Sequence, residues 1–185
     1  MCAMRALTFA LAFLFSASGF APASAQTAPR HVPPSDTTVP VGARLVLQVI
    51  GEGVQIYNCV QRDGIRAWTL NAPDAKLLDP ASHQVLGIHG KGPMWQWNDG
   101  SAVSGKVARS QPSTEPGSMP WLLLAASPLG DQKGILSTVI WVRRSETHGG
   151  DVPASPCAEA QVGTTVRVAY SALYTFYSAD TPVAR

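Results

Sequence analysis

Charged side chains are scarce in this sequence. Asp, Glu, Lys and Arg make up 14% of its 185 residues, against 45% hydrophobic ones. The 14 basic and 12 acidic residues leave a formal net charge of +2. A chain so close to neutrality offers no electrostatic footprint for nucleic acid or for an anionic membrane surface. Long apolar runs are missing beyond the N-terminus; residues 121–126 and 139–142 hold the longest, far short of a bilayer span. Cysteine is rare, with only Cys2, Cys59 and Cys157, and no C-x-x-C spacing occurs. The four histidines, His31, His83, His89 and His148, show no i+2 or i+4 pairing. Neither a redox motif nor a metal site is therefore announced. G-x-S-x-G, G-x-G-x-x-G and phosphate-loop patterns are all absent, so no cofactor is expected.

What the chain does have begins with an address. Arg5 gives a positive start, residues 6–15 are apolar except for Thr8, and Ala23-Ser24-Ala25 is a small-x-small cleavage site. Residues 1–25 read as a signal peptide and 26–40 as a Pro-rich leader carrying Pro29, Pro33, Pro34 and Pro40. Residues 41–178 read as one β domain and 179–185 as a tail. Export to the periplasm or the outside follows. No cysteine stands at the cleavage point, so no membrane anchor is expected. Losing Arg5 makes the mature net charge 13 − 12 = +1. Cys59 and Cys157 remain, and an oxidising compartment predicts that they form one structural disulfide.

The 15 prolines and 16 glycines suit turns and strands better than helices. Leu45, Leu47 and Val49 alternate with Arg44, Val46 and Gln48. Gly51 and Gly53 then interrupt. A second run follows, with Val54, Ile56 and Asn58 on one face and Gln55, Tyr57 and Cys59 on the other. Asp63-Gly64 is a turn signal. Residues 75–84 fit one helical turn or an extended edge. Asp99-Gly100 is a hairpin signal; a two-residue turn there sets Trp97 opposite Ala102 and Trp95 opposite Ser104. Residues 121–127, between Pro120 and Pro128, are a buried run, with a helix as the alternative. Val139 and Trp141 share a face in the following strand. Val166, Val168, Tyr170, Ala172, Tyr174 and Phe176 fall on one face of the last and longest one. This pattern predicts an all-β domain of roughly eight to ten strands, a β-barrel or β-sandwich.

The densest polar and aromatic block runs from His89 to Ser101. As a ligand site, Gly90 and Gly92 admit a ligand to the backbone, Trp95 and Trp97 stack on a ring, and His89, Lys91 and Asp99 supply polar groups. As a structural element, the same block is a hairpin with two core tryptophans. The expected meeting place is with residues 147–153, which carry His148 beside Gly149 and Gly150. The candidate ligand-binding set is thus His89, Lys91, Trp95, Trp97, Asp99 and His148, with no catalytic residue and no metal ligand assigned. Trp121 and Trp141 lie in apolar runs and are expected in the core.

An ordered set of landmarks runs through the domain. It starts with Gly53-Val54-Gln55-Ile56-Tyr57-x-Cys59 and Trp68-x-Leu70-x-x-Pro73-x-Ala75-x-Leu77. His89-x-x-Gly92-Pro93-x-Trp95, Asp99-Gly100-Ser101-x-Val103 and Pro120-Trp121-Leu122-Leu123-Leu124 follow. Thr147-x-Gly149-Gly150-x-x-Pro153, Cys157 and Tyr170-x-Ala172-x-Tyr174-x-Phe176-Tyr177 complete it. Over residues 40–178 the chain resembles a family of secreted bacterial and fungal proteins known only as a domain of unknown function. The resemblance implies one such domain behind a signal peptide and transfers no catalytic residue. Some fungal members carry a dehydrogenase label, which the missing Rossmann fingerprint contradicts here. Tyr57-Asn58-Cys59 is also similar to a motif of periplasmic lysozyme inhibitors. The expected function is a non-enzymatic binding module for a glycan, a small molecule or a protein. The alternatives are a small secreted enzyme using His89, Asp99 and His148, or a lysozyme-inhibitor-like protein.

Overall fold

The computed structural model describes residues 36–130 and 133–179. The expected signal peptide, most of the leader, His31 and nearly all of the tail lie outside the described residues. Eight strands follow one another: β1 (Ala43–Arg62), β2 (Ile65–Leu78), β3 (Val85–Gly90), β4 (Met94–Trp97), β5 (Ala102–Gln111), β6 (Trp121–Pro128), β7 (Val139–Gly149) and β8 (Thr165–Ala179). Each pairs antiparallel with its successor, and β8 returns to β1. The sheet closes into a barrel, which leaves no unpaired edge along the ring. Of barrel and sandwich, the chain forms the barrel.

Up-and-down connectivity sends alternate turns to opposite ends. One end carries the 63–64 turn, the 91–93 turn and the loops 112–120 and 150–164. Cys59, near the tip of the β1–β2 hairpin, is bonded there to Cys157 of the last loop, with 5.8 Å between their Cα atoms. Backbone bonds of 2.9 Å flank the bridge, from Cys59 N to the Thr164 carbonyl and from Gly163 N to the Cys59 carbonyl. The other end carries residues 79–84, 98–101 and 129–138.

Side chains alternate as the period-two pattern predicts. Tyr170, Ala172, Tyr174 and Phe176 are buried inside, with Val49, Ala75, Leu77, Trp95, Val103, Leu124 and Val142. Gly51 and Gly53 do not break a strand; β1 runs through them for 20 residues. The reason lies in the barrel's interior. A Cβ on Gly51 would overlap the Tyr174 ring, and one on Gly53 would overlap the Asp74 carbonyl. Gly51 thus makes room for the Tyr174 ring of β8, and Gly53 for the close approach of β2 at Asp74 and Ala75.

Two open alternatives are decided and one expectation is corrected. Ala75, Leu77 and Leu78 extend β2, so no helical turn forms there. Residues 121–128 are strand β6, paired along β5 and β7, and the helical alternative is excluded. On β7 an irregularity between Val139 and Trp141 rotates the pleat. Val139 and Val142 are therefore the buried pair, while Trp141 and Trp121 stay partly exposed. Trp121 instead lies under the Arg143 guanidinium, 5.5 Å from its ring centre.

The Asp99-Gly100 turn exists with a different register. Trp95 pairs with Val103 and Gln96 with Ala102, one residue off the two-residue-turn expectation. Gly100 N donates to the Trp97 carbonyl at 3.0 Å and Trp97 N to the Ser101 carbonyl at 2.8 Å. Three residues make this loop, with Gly100 left-handed at φ 88°. Space around Gly100 is open, so only backbone strain opposes a side chain there. Gly100→Val is expected to lower stability by about 1 kcal/mol in urea denaturation. An unchanged midpoint would count against the strained turn.

Candidate functional site

The inward residues of β3, β4 and β8 build an aromatic wall. His89 and Trp95 are cross-strand partners, and their rings stack nearly parallel with centres 4.6 Å apart. Tyr174 meets both edge-on, at 5.0 Å and 5.6 Å. Phe176 stands at right angles to Trp95 at 6.1 Å. Gly105 lets the indole lie flat, since a Cβ there would come within 2.8 Å of it.

A cavity of about 280 Å³ opens beside this wall. Apolar side chains of Leu70, Val107, Leu122 and Leu124 line it with the rings of Pro73, Pro93 and Trp95. Five polar residues line it: Gln55, Asn71, His89, Arg144 and Tyr174. Pro93 and Leu122 place it at the disulfide end. The 112–120 loop folds over that end and fixes two of the polar groups. Met119 sulfur accepts from Gln55 Nε2 at 3.3 Å. The Pro120 carbonyl accepts from Arg144 Nε at 3.0 Å and Nη2 at 2.8 Å. Thr147 Oγ1 donates to the Met119 carbonyl at 2.7 Å, and Tyr57 to the Gly150 carbonyl at 2.7 Å. Two buried polar atoms on the cavity lining have no protein partner: Gln55 Oε1 and the Trp95 indole N–H. An unpaired buried polar group costs about 1–3 kcal/mol, which a ligand or water recovers by pairing with it.

His89 is 3% exposed. Its Nδ1 lies 2.9 Å from the Met94 carbonyl, which only accepts, so Nδ1 carries the proton. Burial pushes its pKa down to about 4, and the charge of Arg144 adds to this, while the Met94 carbonyl opposes it. The imidazole is neutral at neutral pH, leaving Nε2 as an acceptor. Because the folded-state pKa lies below the ordinary value of 6.5, the unfolded chain binds the proton first on acidification. The stabilisation is complete above pH 6.5 and is lost down to about pH 4, on the order of 3 kcal/mol in all. Denaturation midpoints between pH 7.5 and 4.5 should show this slope, and His89→Gln should flatten it. An equal slope in that variant would clear His89 of the effect.

The remaining candidates take different places. Lys91 is exposed on the 91–93 turn. It shares a broad groove along β8, β1, β2 and β3 with His83, His89 and His148. His148 is largely exposed and its Nδ1 contacts Glu115 at 2.5 Å. Trp97 packs against the core further along β4. Asp99 sits at the opposite end of the barrel from the cavity. Its carboxylate accepts from Ser101 N at 2.8 Å, Ser101 Oγ at 2.5 Å and Ile135 N at 2.8 Å. These bonds, led by the Ser101 hydroxyl, hold its pKa below the usual carboxylate range. They also seat Leu136, fully buried, against that end. His89, Asp99 and His148 therefore share no hydrogen-bond partner. Trp95, 1% exposed, offers no platform to a glycan. Sequence reasoning missed Gln55, Arg144 and Tyr174. The inward parity of β1 and β8 was a signal for Gln55 and Tyr174, but nothing marked Arg144. Among the described residues no three His, Cys, Asp or Glu side chains gather as a metal would require.

No curated protein and no solved structure matches this chain significantly. The family model described as a protein of unknown function, DUF3455, matches residues 40–178. That span runs from just before β1 to the end of β8 and holds the whole cavity, and with it the chain belongs to the DUF3455 family.

Proposed function

We propose that this chain is an exported, non-enzymatic binding module that takes a small molecule into the disulfide-end cavity of its barrel. One observation carries the reading: an apolar cavity lined by two buried, unpartnered polar atoms on otherwise well-packed strands. Eight-stranded barrels have room for one small ligand, and such pockets are mostly apolar with a few placed polar groups. The size favours a small molecule over a glycan chain. The Cys59–Cys157 bond and the N-terminal signal pattern support export.

The test is a thermal-shift screen of the exported protein against small molecules, oligosaccharides and metals. Small-molecule hits should raise Tm, and Ala72→Trp or Val107→Trp, each at the cavity, should abolish the shift while circular dichroism stays unchanged. Hits that survive in both folded variants, or shifts with oligosaccharides alone, would refute the reading.

A further inference from the structure

Arg144 is the one charged side chain lining the cavity. It stands on β7 opposite Leu122 and is partly buried. No carboxylate among the described residues lies within salt-bridge distance of it. The carboxylates that form ion pairs do so elsewhere: Glu115 with His148, Asp36 with Arg109 and Asp74 with Arg167. The guanidinium is nevertheless fixed, because two of its N–H groups hold the Pro120 carbonyl. Guanidinium has five N–H donors; two hold Pro120 and another hydrogen-bonds the Tyr174 hydroxyl, so two remain for a further acceptor. Its charge reaches the interior, opposing the upward shift that burial imposes on the Tyr174 hydroxyl.

Beside this cation stand the unpartnered Trp95 N–H donor and the Gln55 Oε1 acceptor. Asn71, His89 and Tyr174 are the other polar residues of the lining, and the remainder is apolar. A fixed cation without a counter-ion, in a partly dry apolar pocket, attracts an anion more strongly than it would in water. The pocket is small, and Trp95, Leu122 and Leu124 are among its apolar lining residues.

We infer that the ligand class is a small organic monocarboxylate with a flat or slender apolar body, its carboxylate on Arg144 and its body between Trp95 and the Leu122–Leu124 side. This rests on the cavity being the binding site. The planar carboxylate matches the guanidinium donors that Pro120 and Tyr174 leave over, and the apolar body displaces water from the leucines and prolines. A ligand hydroxyl or amine would satisfy Gln55 Oε1.

The experiment uses matched pairs: benzoate with benzamide, phenylacetate with phenylacetamide, and hexanoate with hexanamide. Binding to the exported protein is followed by tryptophan fluorescence and calorimetry at pH 7.5. At least one acid should bind about tenfold or more tighter than its amide. Arg144→Gln should erase that preference and Arg144→Lys should keep part of it. Because the variants also loosen the Pro120 contact, the acid-to-amide ratio of the unmodified protein decides by itself. Amides binding as well as acids would overturn the carboxylate assignment and leave the small-molecule reading standing. So would other small molecules binding while every acid fails. Failure of every small molecule would overturn both.

Discussion

Replacing Trp95 with alanine should lower stability by about 3–5 kcal/mol, the range for removing a large buried aromatic side chain. Trp95 is 1% exposed and stands where the two halves of the core meet. It stacks on His89, meets Tyr174 and Phe176 edge-on, and lies over the bare backbone of Gly105. None of these neighbours is able to fill the space: the rings are held by their own strands, and Gly105 has no side chain to move. The hole would also join the existing cavity, so collapse is hindered further. Urea denaturation followed by circular dichroism measures the loss. Trp95→Phe should recover a large share of it, because most of the ring contacts persist. A loss under about 1 kcal/mol for the alanine variant would show that Trp95 is not the keystone of the wall.

Breaking the Cys59–Cys157 bond should cost about 2–5 kcal/mol. The sequence separation is 98 residues, so the bond removes a large closed-loop entropy from the unfolded chain. In the folded state it ties the 150–164 loop to the β1–β2 hairpin. The double variant Cys59→Ala, Cys157→Ala should therefore fold, melt earlier and expose residues 150–164 to proteolysis first. Peptide mapping without reductant tests the bond itself. Two free thiols in correctly exported protein would refute it.

Alternation was plain along β8, where Tyr170, Ala172, Tyr174 and Phe176 fall at every second position and all turn inward. Turn chemistry located the Asp99-Gly100 hairpin but not its register. Two- and three-residue loops both favour a glycine at positive φ, and only the cross-strand bonds choose between them. Gly51 and Gly53 misled for a related reason. Glycine in a strand reads as an interruption until the partner that occupies its space is known, the Tyr174 ring at Gly51 and the β2 backbone at Gly53. On β7 the parity expected from Val139 and Trp141 failed because an irregularity between those two residues shifts the side chains that follow to the other face.

The candidate site divides along the same line. His89 and Trp95 stood out as polar and aromatic neighbours on a hairpin, and they do line the cavity together. Asp99 stood out equally, yet up-and-down connectivity sends its turn to the far end of the barrel. Its carboxylate there anchors Ser101 and Ile135. Arg144 carried no signal, since an arginine between Arg143 and Ser145 reads the same whether it faces solvent or a cavity.

Taken by itself, the sequence determined the β class, the strand count within two, the pair of cysteines able to bond and the inward face of the last strand. These depend on local periodicity and on which residues are present. Closure of the ring, the register of each hairpin and the meeting of Gln55, His89, Trp95, Arg144 and Tyr174 around one cavity were decided only by the tertiary structure. Those features depend on contacts between residues far apart in the chain, and no local pattern encodes which of them will meet.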